Sequence, residues 1–253
     1  MTIEFSILDA LLLTGVGFAA GFVNVVAGGG STLSVPVMVF MGLPAPIANG
    51  TNRIAILAQN LVAISTFFRR GFSDFKLSLS LALCTVPGAA VGALIGVEFE
   101  GIWFNRILAL IMAGIMLANY FRREAVAEQT FVPSKIRLVV GHVLMVFVGF
   151  WGGFIQIGVG FLIMPILSGV MGLDLVRTNM HKVFIIAVYT ALALGIFASR
   201  LDIAWIIGVA LALGNMLGGY IGARSSISGG DRFIRFAMNI VMVCFIARLL
   251  FFN

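Results

Sequence analysis

Long apolar stretches follow one another along the whole chain, and only short polar connections separate them. Ten such segments can be marked, and each half of the chain holds five of them. They cover roughly 6–27, 31–43, 46–68, 77–97 and 102–121, and then 136–157, 159–172, 175–198, 203–223 and 232–251. A helix needs about 20 residues to cross the bilayer core, so 31–43 and 159–172 are too short to span it comfortably. The pattern predicts an all-α polytopic membrane protein.

The two sets of five segments are copies of one unit. "GFAAGFVNVVAGGGSTLSVPVMVFMGL" aligns with "GFWGGFIQIGVGFLIMPILSGVMGL" once a gap is allowed at the glycines, and further on Asn52 falls on Lys182. The alignment extends to glycines at every fourth position from Gly88 and from Gly214, which we interpret as helix-packing surfaces because nothing polar accompanies them. Internal repeats of this kind are typical of transporters. We therefore divide the chain into a first repeat at 1–121, a polar linker at 122–135 and a second repeat at 136–253.

Each repeat contains a break between its first segment and its short second segment. In the first break, "AGGGSTLSVP", the glycines permit a turn, and Ser31 and Thr32 are predicted to cap the short helix that follows. The free N–H groups and positive dipole end of such a helix suit an anion. The second break, "QIGVGF", lacks the triple glycine and the Ser-Thr pair. We therefore expect the first break to have the larger role in substrate contact.

The placement of charges favours inverted repeats over parallel ones. If the two segments around each break form a re-entrant-like hairpin, three transmembrane helices follow in each repeat, and this odd number inverts the second repeat. One side of the membrane then holds Arg69, Arg70, Lys76, Arg122, Arg123, Lys135, Arg137, Arg224, Arg232 and Arg235. The positive-inside rule makes that side cytoplasmic, with the linker there and both termini outside. In the parallel alternative, the 224–235 loop and its three arginines would lie outside.

Composition excludes several other classes of protein. The chain is 61% hydrophobic and 10% charged, whereas a soluble domain carries about 25% charged residues. The net charge of +6 therefore reports topology and does not indicate a nucleic-acid partner. The run "GGGSTLS" lacks the lysine of a phosphate-binding P-loop, and the sequence offers no Cys/His metal cluster and no credible Ser/His/Asp set. We expect neither an enzyme nor a cofactor.

The two breaks and the Thr-Asn motifs that follow them resemble, in combination, those of the sulfite exporter TauE/SafE family, also called the TSUP family. The resemblance rests on "GFVNVVAGGGSTLSVPVMVFMGLP" followed by "ANGTN", and on the echo "GFIQIGVGFLIMPIL" followed by "RTNMHK". It covers nearly the whole chain. It implies a polytopic permease of two related halves that moves small sulfur-containing or organic anions such as sulfite, sulfonates and sulfoacetate. We expect a multi-pass protein of a bacterial inner membrane.

Polar and charged residues inside the apolar segments are the candidate substrate ligands, since each is costly there. Arg53 and Lys182 lead this set, because both lie in the first turns of the helices that follow the broken hairpins. If the repeats are inverted, the two helix starts face one another, and an anion between them would meet both cations. The other candidates are Asn49, Thr51, Asn52, Asn179, His181, Asn24, Gln156, Gly29, Gly30, Ser31 and Thr32. The alternative for Arg53 and Lys182 is snorkelling to lipid headgroups.

The prediction is a secondary permease that exports a small sulfur-containing anion. No carboxylate lies in the middle of an apolar segment, and a negative cell interior drives a monovalent anion outward by roughly 2.3 kcal/mol per 100 mV. An anion channel and a non-transporting membrane subunit are the alternatives. The expected partners are the substrate anion and the lipid bilayer. Exposed aromatic and glycine faces fit a homodimer or lipid equally.

Overall fold

The computed structural model describes residues 6–98 and 134–251, and all of its regular secondary structure there is helical. The helices are α1 Ile7–Val26, α2 Ser31–Phe40, α3 Ala45–Arg69, α4 Phe75–Glu98, α5 Lys135–Phe154, α6 Val159–Met164, α7 Leu175–Arg200 and α8 Trp205–Phe251. A π-helical turn, Pro165–Val170, extends α6 directly. Gly230, with φ 60° and ψ −163°, interrupts α8. The all-α prediction is confirmed, while the predicted segment 102–121 and nearly all of the linker 122–135 lie outside the described residues.

Five of the described helices are long and apolar enough to cross a membrane by length and composition, namely α1, α4, α5, α7 and the part of α8 that spans Trp205–Met238. α3 has 25 residues and is equally long, but the polar stretches "NGTNR" and "AQN" lower its hydropathy. Large apolar side chains such as Leu8, Phe147 and Ile206 are exposed on the outer surfaces of these helices. A water-facing protein would bury such side chains, whereas a lipid-facing surface exposes them.

Glycine stripes join the first helix of each half to the fourth helix of the other half. Gly214 and Gly218 of α8 lie directly against the backbone of α1, so that an added Cβ would overlap it. Gly88 and Gly92 of α4 lie against the backbone of α5 in the same way. The prediction that these two glycine series are helix-packing surfaces is confirmed, because the missing side chains let the backbones approach closely.

The equivalent helices α3 and α7 cross the centre of the molecule in opposite directions. Gly50, near the start of α3, packs against Phe197, near the end of α7. Phe67, near the end of α3, shares an apolar cluster with Met180, near the start of α7. α3 and α7 are therefore antiparallel, as the predicted inversion requires of this helix pair. The orientation of each half in a membrane stays a prediction.

Candidate functional site

Arg53 and Asn49 bind the end of the opposite half's first helix. Asn49 Nδ2 donates to the carbonyl oxygen of Phe154 at 2.9 Å, and Arg53 Nη1 donates to that of Gly152 at 3.0 Å. Arg53 Nη2 donates to the carbonyl of Gly153. The last four carbonyls of a helix have no intrahelical partner, and the negative end of its dipole attracts a cation. Both side chains thus bind the carbonyls at the C-terminal end of α5 in the protein interior.

Asn179 and Lys182 do the same for α1. Asn179 Nδ2 donates to the carbonyl of Val26 at 3.3 Å, and Lys182 Nζ donates to that of Val25 at 2.8 Å. Lys182 Nζ also donates to Asn179 Oδ1 at 2.7 Å. Each half therefore supplies an asparagine and a cation to the broken helix of the other half. Both cations are fully buried, so neither reaches the surface as a snorkelling side chain would.

The structure does not bring Arg53 and Lys182 together on one anion. The Arg53 guanidinium lies 4.4 Å from the ring centroid of Phe197. Phe197 is fifteen residues beyond Lys182 on α7, which corresponds to about 22 Å of helix rise. Because α3 and α7 are antiparallel, the cations lie near opposite ends of the helix pair. A small anion can contact one of them at a time.

The two breaks touch one another between these clusters. The Gly160 N–H donates to the carbonyl of Gly28 at 3.2 Å, and a Cβ on either glycine would overlap the backbone of the other. Gly28 has φ 94°, a conformation that glycine adopts without strain. In the second break, Gln156 and Gly158 have φ 65° and 70°. The contact explains why the apolar second break keeps a glycine at position 160.

The start of α2 differs from the prediction. Gly30 is the N-cap and no side chain caps the helix, because Ser31 and Thr32 already lie inside it. The Ser31 hydroxyl accepts from Asn52 Nδ2 at 3.2 Å, and the Thr32 hydroxyl donates back to the carbonyl of Gly29. The prediction of Ser31 and Thr32 as N-caps is wrong, since both hydroxyls are engaged elsewhere. Among the described residues, no carbonyl accepts from the N–H groups of 29–31.

The remaining predicted residues lie near these clusters, but several have structural partners. Thr51 Oγ1 accepts from the N–H of Ala204 just before α8, at 3.2 Å. His181 Nδ1 lies 2.8 Å from Ser78 Oγ of α4. Gln156 Nε2 donates to Thr190 Oγ1 at 2.7 Å. The predicted ligands therefore include residues that hold helices together.

Buried amides without a protein partner are the part of the site that the sequence prediction missed. Gln59 on α3 and Asn215 on α8 are fully buried, and neither amide atom of either side chain has a hydrogen-bond partner in the described part of the chain. Asn60 Nδ2 donates to the carbonyl of Ile56, which leaves Asn60 Oδ1 unpaired. Gln59 and Asn60 lie on α3 between the level of Arg53 and that of Lys182. The dipeptide Gln-Asn inside "IAILAQNLVAI" was the signal that could have identified them.

Asn24, the last predicted ligand, is also a buried amide. Its side chain is 4% exposed on α1 beside Gly30. Asn24 immediately precedes Val25 and Val26, whose carbonyls accept from Lys182 and Asn179. The site is therefore a row of polar groups that runs from Arg53, past the crossed breaks, to Lys182.

Positive charge dominates this row. Among residues 6–98 and 134–251, Arg177 forms an ion pair with Asp174. In the same residues, no carboxylate oxygen lies within 4.0 Å of a side-chain nitrogen of Arg53 or Lys182. The same residues contain no group of three His, Cys, Asp or Glu side chains that could hold a metal ion. The chemistry on offer is hydrogen bonding and positive charge, which suits the oxygens of a small anion.

Comparison with known proteins identifies one family. The family model described as "Sulfite exporter TauE/SafE" matches residues 13–249 of the chain. No solved structure matches the chain.

Curated relatives match over most of their length. A probable membrane transporter protein, ORF9, of Sinorhizobium sp is 28% identical over 92% of this chain and 89% of its own. The probable membrane transporter protein YfcA of Escherichia coli K12 is 27% identical over 93% of this chain and 87% of its own. A probable membrane transporter protein of Haemophilus influenzae is 24% identical over 87% of this chain and 86% of its own. These names identify membrane transporters but name no substrate.

Proposed function

The chain belongs to the sulfite exporter TauE/SafE family of membrane transporters, and from that premise we propose that it exports a small sulfur-containing anion as a secondary transporter. The candidate substrates are sulfite, a sulfonate or sulfoacetate. The family and its relatives are described as membrane transporters, and the multi-pass helical fold agrees with that description. The substrate and the direction are the parts of this proposal that need a test.

Uncompensated positive charge in the interior is the observation that carries the proposal. Arg53 and Lys182 contribute two formal charges, and the helix ends that they bind return roughly half a negative charge each. The uncapped start of α2 adds roughly half a positive charge. The site therefore retains roughly one and a half positive charges at membrane depth, which an anion would neutralise. A cation or neutral solute would meet no matching charge there.

We propose that the substrate passes through the space between the two cations and does not bind both of them at once. Arg53 and Lys182 set the electrostatic potential at the two ends of the route, while the amides of Gln59 and Asn215 hydrogen-bond the anion as it passes. The unpaired amide atoms support this assignment, because a buried polar group without a partner costs about 1–3 kcal/mol. A bound anion would satisfy the amide donors, which accounts for their presence in the interior.

Export is the direction that electrostatics favours. The antiparallel packing of α3 and α7 supports an inverted repeat, and the basic residues then lie mainly on the cytoplasmic side. The membrane potential drives a monovalent anion outward by roughly 2.3 kcal/mol per 100 mV, so export needs no coupling ion.

Ligand-induced thermal stabilisation tests the proposal. The purified protein is heated with sulfite, thiosulfate, taurine, sulfoacetate and simple carboxylates, and we expect a sulfur-containing anion to raise the melting temperature most. Arg53→Ala and Lys182→Ala should lose that response, while Arg200→Ala, an exposed arginine at the end of α7, should keep it. Arg53→Lys and Lys182→Arg guard against misfolding, because each keeps the charge and one or more carbonyl bonds. If Arg53→Ala and Lys182→Ala also respond like the parent, the site lies elsewhere.

Flux measurements separate export by a carrier from the two alternatives. In liposomes, an inside-negative potential should accelerate efflux of the anion that stabilises the protein, and the flux should saturate. Linear currents of high unitary conductance would indicate a channel instead. A purified protein that binds none of the anions would indicate a subunit that serves a partner.

A further inference from the structure

A basic groove lies between the end of α3 and the outer face of α8, and none of its lining residues belongs to the polar row. Its volume is about 380 Å³, and it is lined by three arginines, Arg69, Arg70 and Arg224, together with Tyr220, Leu61 and Val62 among others. All three arginines are exposed, and among the described residues none of them lies within ion-pair distance of a carboxylate. We propose that this groove binds the phosphate headgroup of an anionic phospholipid.

The positions of the arginines suit a phosphate group. Arg69 and Arg70 end α3, while Arg224 approaches from α8, so that charges from two elements converge on one space. Arg224 Nη1 donates to the Tyr220 hydroxyl at 3.4 Å, and both residues line the groove. A guanidinium offers paired N–H donors that match two phosphate oxygens. The groove therefore presents several such donors to one headgroup.

Exposed apolar side chains in and beside the groove favour a lipid over a soluble anion as the occupant. Leu61 on α3 is 57% exposed, and Leu217 on α8 is 50% exposed one turn before Tyr220. These side chains continue from the arginines towards the middle of the two helices, where the acyl chains of a bound lipid would lie. Tyr220 lies between the two regions, as aromatic residues do at the membrane interface. A free phosphate ion would gain nothing from Leu61 and Leu217.

The charge pattern predicts that this end of α3 faces the cytoplasm, where the leaflet contains anionic lipids. Each arginine near such a surface contributes roughly a fivefold gain in lipid affinity. Three arginines in one groove thus give a marked preference for an anionic over a zwitterionic lipid. The proposal does not depend on which solute the protein transports.

Native mass spectrometry of the full-length protein tests the proposal with two lipids, phosphatidylglycerol and phosphatidylcholine. We expect the parent to bind phosphatidylglycerol at least about tenfold more tightly, by the additive effect of the arginines. The variant Arg69→Gln/Arg70→Gln/Arg224→Gln should lose this preference. The matched control Lys76→Gln/Lys135→Gln/Arg177→Gln removes three exposed positive charges outside the groove and should keep it. Equal losses in both variants would overturn the proposal, because they would show that net charge alone attracts the lipid.

A second measurement distinguishes the lipid from a soluble anion. Leu61→Gln should weaken phosphatidylglycerol binding several-fold without altering the response to inorganic phosphate. If phosphate itself binds with the same dependence on the arginines and displaces the lipid at millimolar concentration, the groove is a soluble-anion site and the proposal is wrong.

Discussion

Replacing Gln59 with methionine should make the ligand-free protein more stable. The Gln59 side chain is fully buried on α3, and its Nε2 and Oε1 atoms have no hydrogen-bond partner in the described part of the chain. Methionine has nearly the same length and flexibility but carries no amide, so it fills the same space beside Gly219. The substitution therefore removes a buried polar group and creates no large cavity.

The expected gain follows from the cost of an unpaired buried group. That cost is about 1–3 kcal/mol, so the free energy of unfolding should rise by a similar amount. For a chain of this size, 1 kcal/mol shifts the melting temperature by about 2–4 °C. The same variant should lose most of the stabilisation that the substrate anion gives the parent, because the amide that would bind the anion is gone.

Asn49→Leu is the matched control for Gln59→Met. Both residues are fully buried amides of α3, but Asn49 Nδ2 donates to the carbonyl of Phe154. Its replacement removes that hydrogen bond at the end of α5 and should lower the melting temperature. The measurement is a thermal melt of the purified proteins in one detergent, with and without anion. If Gln59→Met melts as low as Asn49→Leu, the Gln59 amide has a structural role and our account of the site fails.

Two further predictions concern the crossing and the topology. Gly160→Ala should abolish transport and reduce the yield of folded protein, because its Cβ would overlap Gly28. Gly195→Ala, with open space around it, should behave like the parent in expression and efflux assays. Epitope tags placed before residue 1 and after residue 253 should both be accessible outside intact cells, and two cytoplasmic tags would refute the inverted topology.

The sequence predicted the helices closely because each is marked by local signals. The predicted segments 46–68 and 77–97 agree with α3 and α4 within two residues at each end. The recurrence of glycine at every fourth residue also predicted close packing, because these glycines lie on one face of a helix and leave it without side chains. Such features depend on neighbours in the chain and can therefore be predicted from short windows.

The partners of the candidate ligands could not be predicted in this way. Arg53 lies about a hundred positions from the carbonyls that it binds, and Lys182 lies more than 150 positions from Val25. The sequence alone indicates that a buried cation needs a partner. It does not indicate that this partner is the carbonyl end of a distant helix. The sequence prediction named several residues of the polar row, including Arg53 and Lys182, but missed how these two cations are held apart. Their role as substrate ligands stays a prediction.

The pairing of α1 with α8 has a consequence for how the protein is made. Thr14 Oγ1 donates to the carbonyl of Ala210, a residue that the ribosome adds 196 positions later. α1 therefore enters the membrane long before its partner exists, with the buried Asn24 and a glycine-lined face still turned to lipid or to the insertion machinery. α5, by contrast, follows α4 in synthesis and can pair with it as soon as it emerges. α1, the first helix to be synthesised, is thus among the last to reach its final packing. The first half of this transporter is complete only after the second half has been made.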